Sequence, residues 1–96
     1  DSSQYAVLLK EGEWLGYEIN SSKDQILKLM VKVRALEKNP AMHFELDGEP
    51  IDLSSNYSQE QFYYNHSNPI TITSGKHDLR MVIDKGSVLV DWFDFK

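Results

Sequence analysis

Apolar residues recur at every second position through most of this chain. In the segment 25–36 one parity contains Leu27, Leu29, Val31, Val33 and Ala35, and the other contains Lys28, Lys32 and Arg34, with Met30 as the exception. The segment 41–51 repeats the pattern, in which Met42, Phe44 and Leu46 alternate with polar residues. Successive side chains of a strand point to opposite faces, so this alternation predicts strands with one buried and one solvated face.

Short glycine-containing segments separate the alternating runs and predict turns. Asp47-Gly48 suits a tight hairpin, and similar breaks occur at Glu11-Gly12, Ser74-Gly75 and Lys85-Gly86. A polar segment over residues 52–61 predicts a longer loop. No long run has the 3.6-residue period of a helix. The sequence therefore predicts an all-β fold, an antiparallel two-sheet β-sandwich of the jelly-roll, galactose-binding-domain-like kind.

The length and charge of the chain limit its class. Its 96 residues, of which 41% are hydrophobic, suit a single domain over residues 1–96 with one modest core. The formal net charge of -5 and the lack of a basic cluster argue against nucleic acid as a partner. No apolar run approaches the roughly 20 residues that cross a bilayer, so no membrane partner is expected. The absence of cysteine excludes a disulfide framework and a thiol nucleophile.

The final run VLVDWFDFK, residues 88–96, is apolar on both parities: Val88, Val90 and Trp92 share one, and Leu89, Phe93 and Phe95 share the other. We therefore expect residues 88–95 to form a buried strand, either covered on both faces or at the centre of a sheet. A central strand needs a neighbour on each side. The opening segment DSSQ is too short and too polar to be assigned as one of these neighbours.

Two segments near the ends of the chain carry a family resemblance. EGEWLGYEIN, residues 11–20, and SGKHDLRMVIDKGSVLVDWFDF, residues 74–95, resemble the β-sandwich carbohydrate-binding modules of family 6 and its relatives. The resemblance implies a non-catalytic module that binds polysaccharide or oligosaccharide. It also implies that the module is appended to a secreted carbohydrate-active enzyme and lies outside the cell, in the periplasm or at the cell surface. Family members usually begin with a further glutamate-rich strand, which we expect to be missing here.

The usual sugar site of that family lies in loops at one end of the sandwich, where two aromatic rings enclose a sugar and an asparagine bonds its hydroxyls. When this site is carried over by position, its first aromatic residue corresponds to a position near Leu8 and its asparagine to a position near Leu89. The second aromatic residue, a loop tryptophan, corresponds to a position near Gln59 or Glu60. Each of these positions departs from the family pattern. Two hypotheses remain, a polysaccharide-binding module with a different site, or a structural or protein-interaction sandwich that has lost sugar binding.

An aromatic-rich segment offers replacement sugar contacts. NYSQEQFYYNHSN, residues 56–68, combines ring faces for stacking with amide groups for hydrogen bonds. We predict that the polysaccharide contacts Tyr57, Tyr63, Tyr64, Asn56 and Asn65. The alternative is that residues 62–64 form a strand whose rings pack in the core, which we expect for Phe62.

The other large aromatic residues have different expected positions. We expect Trp14 and Trp92 to pack in the core, because tryptophans in a domain of this size more often fill the core than contact a ligand. Tyr17 lies on the same predicted strand as Trp14, and its hydroxyl favours a position with access to water. The sequence leaves Tyr17 open between the core and the surface.

Asp91 precedes the closing tryptophan. In the modules that this chain resembles, an acidic residue at that position helps to hold a structural calcium ion together with glutamates of the N-terminal strand. The resemblance therefore implies Asp91 as a metal ligand. Calcium takes about six to eight oxygen ligands, so Asp91 alone is at most half of a site. We expect weak calcium binding unless another segment supplies the glutamates.

No catalytic arrangement stands out. His43, His66 and His77 are too widely spaced for a compact zinc motif. Carboxylate pairs such as Asp91 and Asp94 resemble a glycosidase pair only in residue type, and an acidic domain contains them in any case. We therefore expect that the chain is not an enzyme.

Three asparagines begin N-glycosylation sequons, namely Asn20, Asn56 and Asn65. Asparagine and serine are also common in turns, which is the alternative explanation. With either explanation, the sequence predicts that these asparagines lie in surface loops.

Overall fold

The computed structural model describes residues 7–96, which form ten β-strands. They are β1 (Val7–Lys10), β2 (Trp14–Ser21), β3 (Gln25–Leu27), β4 (Leu29–Ala35), β5 (Ala41–Leu46), β6 (Glu49–Ile51), β7 (Tyr63–His66), β8 (Ile70–Ile72), β9 (Gly75–Lys85) and β10 (Ser87–Phe95). The first sheet has the order β1-β10-β4-β7, the second the order β2-β9-β5-β6, and a small sheet pairs β3 with β8. All these pairings are antiparallel.

The two larger sheets share one hydrophobic core, which confirms the predicted antiparallel two-sheet β-sandwich. Val31 and Val33 on β4 are fully buried, and they belong to the same cluster as Phe44 on β5 and Leu79 on β9. Within the segments 25–36 and 41–51, the alternation corresponds to one buried face on β4 and one on β5, whereas β3, at residues 25–27, belongs to the small sheet. Complete burial of one such side chain stabilises a fold by about 1.5–3 kcal/mol. None of the residues 7–96 forms a helix that could cross a membrane.

A β-bulge at Asp91 explains why the final strand is apolar on both parities. Val90 pairs with Val33 and Trp92 pairs with Lys32, so Asp91 is one extra residue on β10. An extra residue reverses the parity of the side chains that follow it. The residues of β10 that pack in or against the core are Val88, Val90, Phe93 and Phe95. The strand is central in its sheet, and it does not need a second core on its other face.

Strand β10 has a neighbour on each side. Its first half pairs with β1, from Val90 opposite Val7 to Ser87 opposite Lys10, and most of its length pairs with β4. The segment 7–10 therefore supplies a neighbour that the sequence did not assign. The prediction of a missing N-terminal strand concerns sequence outside the described residues, and residues 1–6 also lie outside them.

The hairpin between β5 and β6 forms where the sequence predicted it. Asp47 and Gly48 have positive φ values of 52° and 85°. Two successive positive φ values are typical of a type I′ turn, whose twist matches that of the flanking strands. The polar segment that follows is a loop, as predicted, and it leads into β7, which the sequence had left open between loop and strand.

Replacing a core leucine tests this packing. We expect Leu79→Ala to lower the free energy of unfolding by about 2–5 kcal/mol, because the cavity cannot collapse between two sheets. The matched control is Ile26→Ala, since Ile26 is 69% exposed on the small sheet. The control is expected to change stability by less than about 0.5 kcal/mol in urea unfolding. Equal losses in the two variants would contradict the described core.

Candidate functional site

Asn65 holds the loop that precedes β7. Its side chain is fully buried. Its Oδ1 accepts hydrogen bonds from the Asn56 backbone N–H at 2.6 Å and from the Ser54 hydroxyl at 3.1 Å. Its Nδ2 donates to the Asn56 carbonyl oxygen at 3.0 Å. The amide that the sequence assigned to sugar binding is thus occupied within the protein, and burial also corrects the expectation that the Asn65 sequon lies in a surface loop.

The three predicted tyrosines do not form one platform. Tyr57 packs against the core, and this burial raises the pKa of its hydroxyl, partly offset by a backbone hydrogen bond at Met42. Tyr63 and Tyr64 are both exposed but are consecutive on β7, so they point to opposite faces. The Tyr63 hydroxyl accepts a hydrogen bond from Gln61 Nε2 at 2.9 Å. Asn56 is exposed, and its bonds to Asn65 use only its backbone.

Tyr64 belongs to an aromatic surface on the outer face of the first sheet, here called the Tyr64 surface and defined by Lys32, Phe62, Tyr64, Trp92 and Lys96. Tyr64 is 47% exposed, and its ring centroid lies 5.6 Å from that of Trp92 at an interplanar angle of 58°. The Lys32 ammonium lies 5.7 Å from the Tyr64 ring centroid, and that of Lys96 lies 5.6 Å from the Trp92 ring centroid. The two rings are tilted, and a cation lies near each. Trp92 is half-buried here and does not pack in the core.

A second surface lies on the outer face of the second sheet. It is called the Trp14 surface and is defined by Trp14, Gly16, His43, Glu45 and Arg80. The register places Trp14, Val82 and His43 in one cross-strand row, and Gly16, Arg80 and Glu45 in the next. Trp14 is 54% exposed, the largest exposure of any aromatic side chain in residues 7–96.

The expectation that Trp14 packs in the core is therefore wrong. Its neighbour Leu15 takes the inward parity, opposite the buried Met81. A Cβ added at Gly16 would lie 3.3 Å from Cζ3 of Trp14, so the indole lies over this glycine. The Arg80 guanidinium lies 4.1 Å from the indole centroid and holds the ring by a cation–π contact. Tyr17, which the sequence left open, lies on the inward parity of β2 but is 39% exposed, and its ring contacts that of Phe93 edge to face with the centroids 4.7 Å apart.

His43 links two carboxylates beside Trp14. Its Nδ1 lies 2.6 Å from Asp84 Oδ2 and its Nε2 lies 2.8 Å from Glu45 Oε2. Both carboxylates can accept a hydrogen bond from His43 at the same time only when both ring nitrogens carry a proton. The bonds to Asp84 and then to Glu45 therefore raise the pKa of His43. The result is a fixed set of charged donors and acceptors next to the exposed indole.

A similar pair lies near the β5–β6 hairpin. His77 Nδ1 lies 2.6 Å from Asp47 Oδ2, and its Nε2 lies 2.6 Å from the Thr73 carbonyl oxygen. The bond to Asp47 is the main cause of a raised His77 pKa, and the same bond lowers the pKa of Asp47. This pair fastens the hairpin to the segment that enters β9.

The surroundings of Asp91 do not fit a calcium ion within the described residues. Its Oδ2 lies 3.3 Å from Lys32 Nζ, and its Oδ1 is buried without a hydrogen-bond partner. No three His, Asp or Glu side chains of residues 7–96 come together in a way that could hold a metal ion. Calcium takes about six to eight oxygen ligands. Calcium at Asp91 therefore stays a prediction drawn from the resemblance.

The fold and its exposed aromatic surfaces define the chain as a β-sandwich binding module. The profile of carbohydrate-binding module family 6 matches residues 1–96, so the chain belongs to this family and is a carbohydrate-binding module. The family comprises non-catalytic binding modules, consistent with the expectation that the chain is not an enzyme. A search of curated proteins found no significant match.

Sequence reasoning missed Trp14, Arg80 and His43 as a group. A signal was present, because Leu15 and Ile19 share one parity of β2 and Trp14 and Gly16 share the other. Placing the aliphatic parity in the core would have turned Trp14 outward. The pairing of β2 and β5 with β9, which places Arg80 and His43 beside it, is a long-range register that the alternation alone does not contain.

The two asparagines give a matched test of the loop. We expect Asn65→Ala to lower the free energy of unfolding by about 1–3 kcal/mol, because it leaves the Asn56 backbone groups without partners. Asn56→Ala keeps those backbone groups and is expected to cost less than about 0.5 kcal/mol. Urea unfolding of both variants measures the difference. Equal stability of the two variants would contradict the role of the Asn65 amide in holding the loop.

The raised His43 pKa predicts a pH-dependent stability. In the unfolded chain His43 titrates near its ordinary value of 6.5, and the folded protein keeps the proton to higher pH. The stabilisation is therefore complete below the unfolded pKa and is lost as the pH rises through the folded pKa. We expect the stability difference between wild type and His43→Gln to be largest in mildly acidic buffer and to shrink in mildly alkaline buffer.

Urea unfolding across that range measures the difference at each pH. His77 is present in both proteins, so its own titration cancels. His66→Gln is the control, since His66 is exposed and forms no ion pair within residues 7–96. A constant difference for His43→Gln at all pH values would contradict the charged bridge.

Proposed function

We propose that this module binds neutral polysaccharide on the Trp14 surface. The observation that supports the proposal is the exposed indole of Trp14, held over Gly16 beside a fixed group of charged side chains. The C–H faces of a pyranose pack on an aromatic ring, and a few oriented polar groups select among sugars by bonding their hydroxyls. Arg80 supplies donors there, and Glu45 supplies acceptors.

The Tyr64 surface suits this task less well. Its rings are inclined by 58°, so a flat sugar ring cannot stack on both of them at once. Its charged groups are ammonium groups, and that of Lys32 already faces the Asp91 carboxylate. Tyr63 and Tyr64 remain predicted contacts, but the Trp14 surface combines the more exposed ring with a wider set of donors and acceptors.

The charge of the Trp14 surface favours neutral over acidic polysaccharides. The outer face of the second sheet, on which the indole lies, carries Arg80 and Lys76 together with the acidic side chains Glu18, Glu45, Asp78 and Asp84, and His43 is bonded to Glu45 and Asp84. Carboxylates outnumber the permanent cations, so a uronic-acid polymer would meet repulsion. Neutral hydroxyl groups accept and donate hydrogen bonds without that cost.

The proposal includes the place of the module in a larger protein. We propose that it is appended to a secreted carbohydrate-active enzyme and works outside the cell or in the periplasm. Its membership of a family of carbohydrate-binding modules supports this proposal. Held on an insoluble polymer by the module, such a domain would stay close to its substrate.

Affinity electrophoresis with matched aromatic variants tests the site. We expect wild type to be retarded by at least one of xylan, β-glucan, agar and mannan, and Trp14→Ala to lose about tenfold or more in affinity. Tyr64→Ala is the comparison variant, because it removes an exposed ring of the competing Tyr64 surface, and we expect it to lose less affinity than Trp14→Ala. Trp14 projects from the outer face, so unfolding curves should show that the Trp14 variant is folded.

The other outcomes distinguish the alternatives. Loss of retardation in Tyr64→Ala but not in Trp14→Ala would move the site to the Tyr64 surface. No retardation on any polymer would favour the structural or protein-interaction sandwich. That alternative has one observation of its own, since Leu8 is exposed on β1 opposite Leu89, where the family's usual sugar contacts are expected.

A further inference from the structure

Asp91 is a nearly buried carboxylate in the bulge of β10. Its side chain is only 6% exposed, and its Oδ1 has no hydrogen-bond partner. Taking a carboxylate out of water is costly unless an opposite charge compensates it. The nearest cation is Lys32 on the neighbouring strand β4, whose Nζ lies 3.3 Å from Asp91 Oδ2. The bulge produces this contact, because the extra residue lies beside the pair formed by Lys32 and Trp92.

The Lys32 ammonium is held in position by more than one group. Besides the carboxylate, it lies 5.8 Å from the Phe62 ring centroid and 5.7 Å from the Tyr64 ring centroid. A cation within about 6 Å of a ring centroid is attracted by the electron density of the ring. The Lys32 ammonium is therefore held by three contacts. One is with the Asp91 carboxylate on β10, and the other two are with the rings of Phe62, just before β7, and Tyr64 on β7.

We infer that Lys32 is the built-in counter-ion of Asp91 and neutralises the charge that, by family resemblance, a calcium ion would neutralise. A divalent cation at Asp91 would meet the positive charge of Lys32 next to the same carboxylate, and the two like charges would repel each other. Within residues 7–96 no other carboxylates gather there to offset that repulsion. The stability of this sandwich therefore depends on the Lys32–Asp91 pair and not on calcium.

A double-mutant cycle with a calcium arm tests the inference. Wild type is expected to unfold at the same temperature, within about 1 °C, in millimolar calcium and in chelator, because a ligand that does not bind the folded state does not stabilise it. Lys32→Met keeps the apolar stem and removes the charge, and we expect it to lower the unfolding midpoint by about 5–10 °C. Lys32→Arg keeps the charge and is expected to stay near wild type.

The second arm removes the partner. The double variant Lys32→Met, Asp91→Asn should be much less destabilised than the sum of its two single variants, because no unpaired buried charge remains. Asp94→Asn is the matched control, since Asp94 is exposed on the same strand, and its effect should simply add to that of Lys32→Met. Additive effects at Asp91, or a lower midpoint of wild type in chelator, would overturn the inference. Both readouts measure stability and are independent of sugar binding.

Discussion

The extra residue at Asp91 determines which side chains of the last strand face the core. Without the bulge, Trp92 would follow Val88 and Val90 inward and Phe93 would point to solvent. With it, the Phe93 ring lies between the sheets, 5.7 Å from the Phe44 ring and 4.7 Å from that of Tyr17. Edge-to-face pairs of this kind add about 0.5–1.5 kcal/mol beyond the area they bury. The contact between the two sheets thus depends on one irregularity of the backbone.

The second sheet contains a similar bulge, which also carries a carboxylate. Met42 pairs with Ile83 and Ala41 with Lys85, so Asp84 is an extra residue on β9. Like Asp91, it lies beside a basic side chain of the adjacent strand, in this case His43. Bulges direct side chains away from the regular alternation, and here each one turns a carboxylate towards a cation. One pair borders the Trp14 surface and the other borders the Tyr64 surface.

The alternation of apolar residues was sufficient to predict β4, β5 and the hairpin at Asp47-Gly48, because these elements depend on local periodicity and local turn geometry. It was not sufficient for β10, where a bulge changes the parity within the strand and the sequence shows only a run that is apolar throughout. Trp14 was misplaced because tryptophan is as compatible with an exposed platform as with a core. The bonds of the Asn65 amide could not be predicted, because its partners belong to the preceding loop and only the folded chain shows that the amide is occupied.

The same strand that builds the core also positions the proposed site. On β9 the inward side chains Leu79 and Met81 pack between the sheets, while Arg80 between them points outward to the indole of Trp14. Because strands hold both sets at fixed spacing, the sugar-facing groups need little ordering when a polymer binds. A single exposed ring and a few polar groups still give a small contact area. Such a site suits weak and reversible binding, and retention on a polymer would increase if a second binding point were linked to the module.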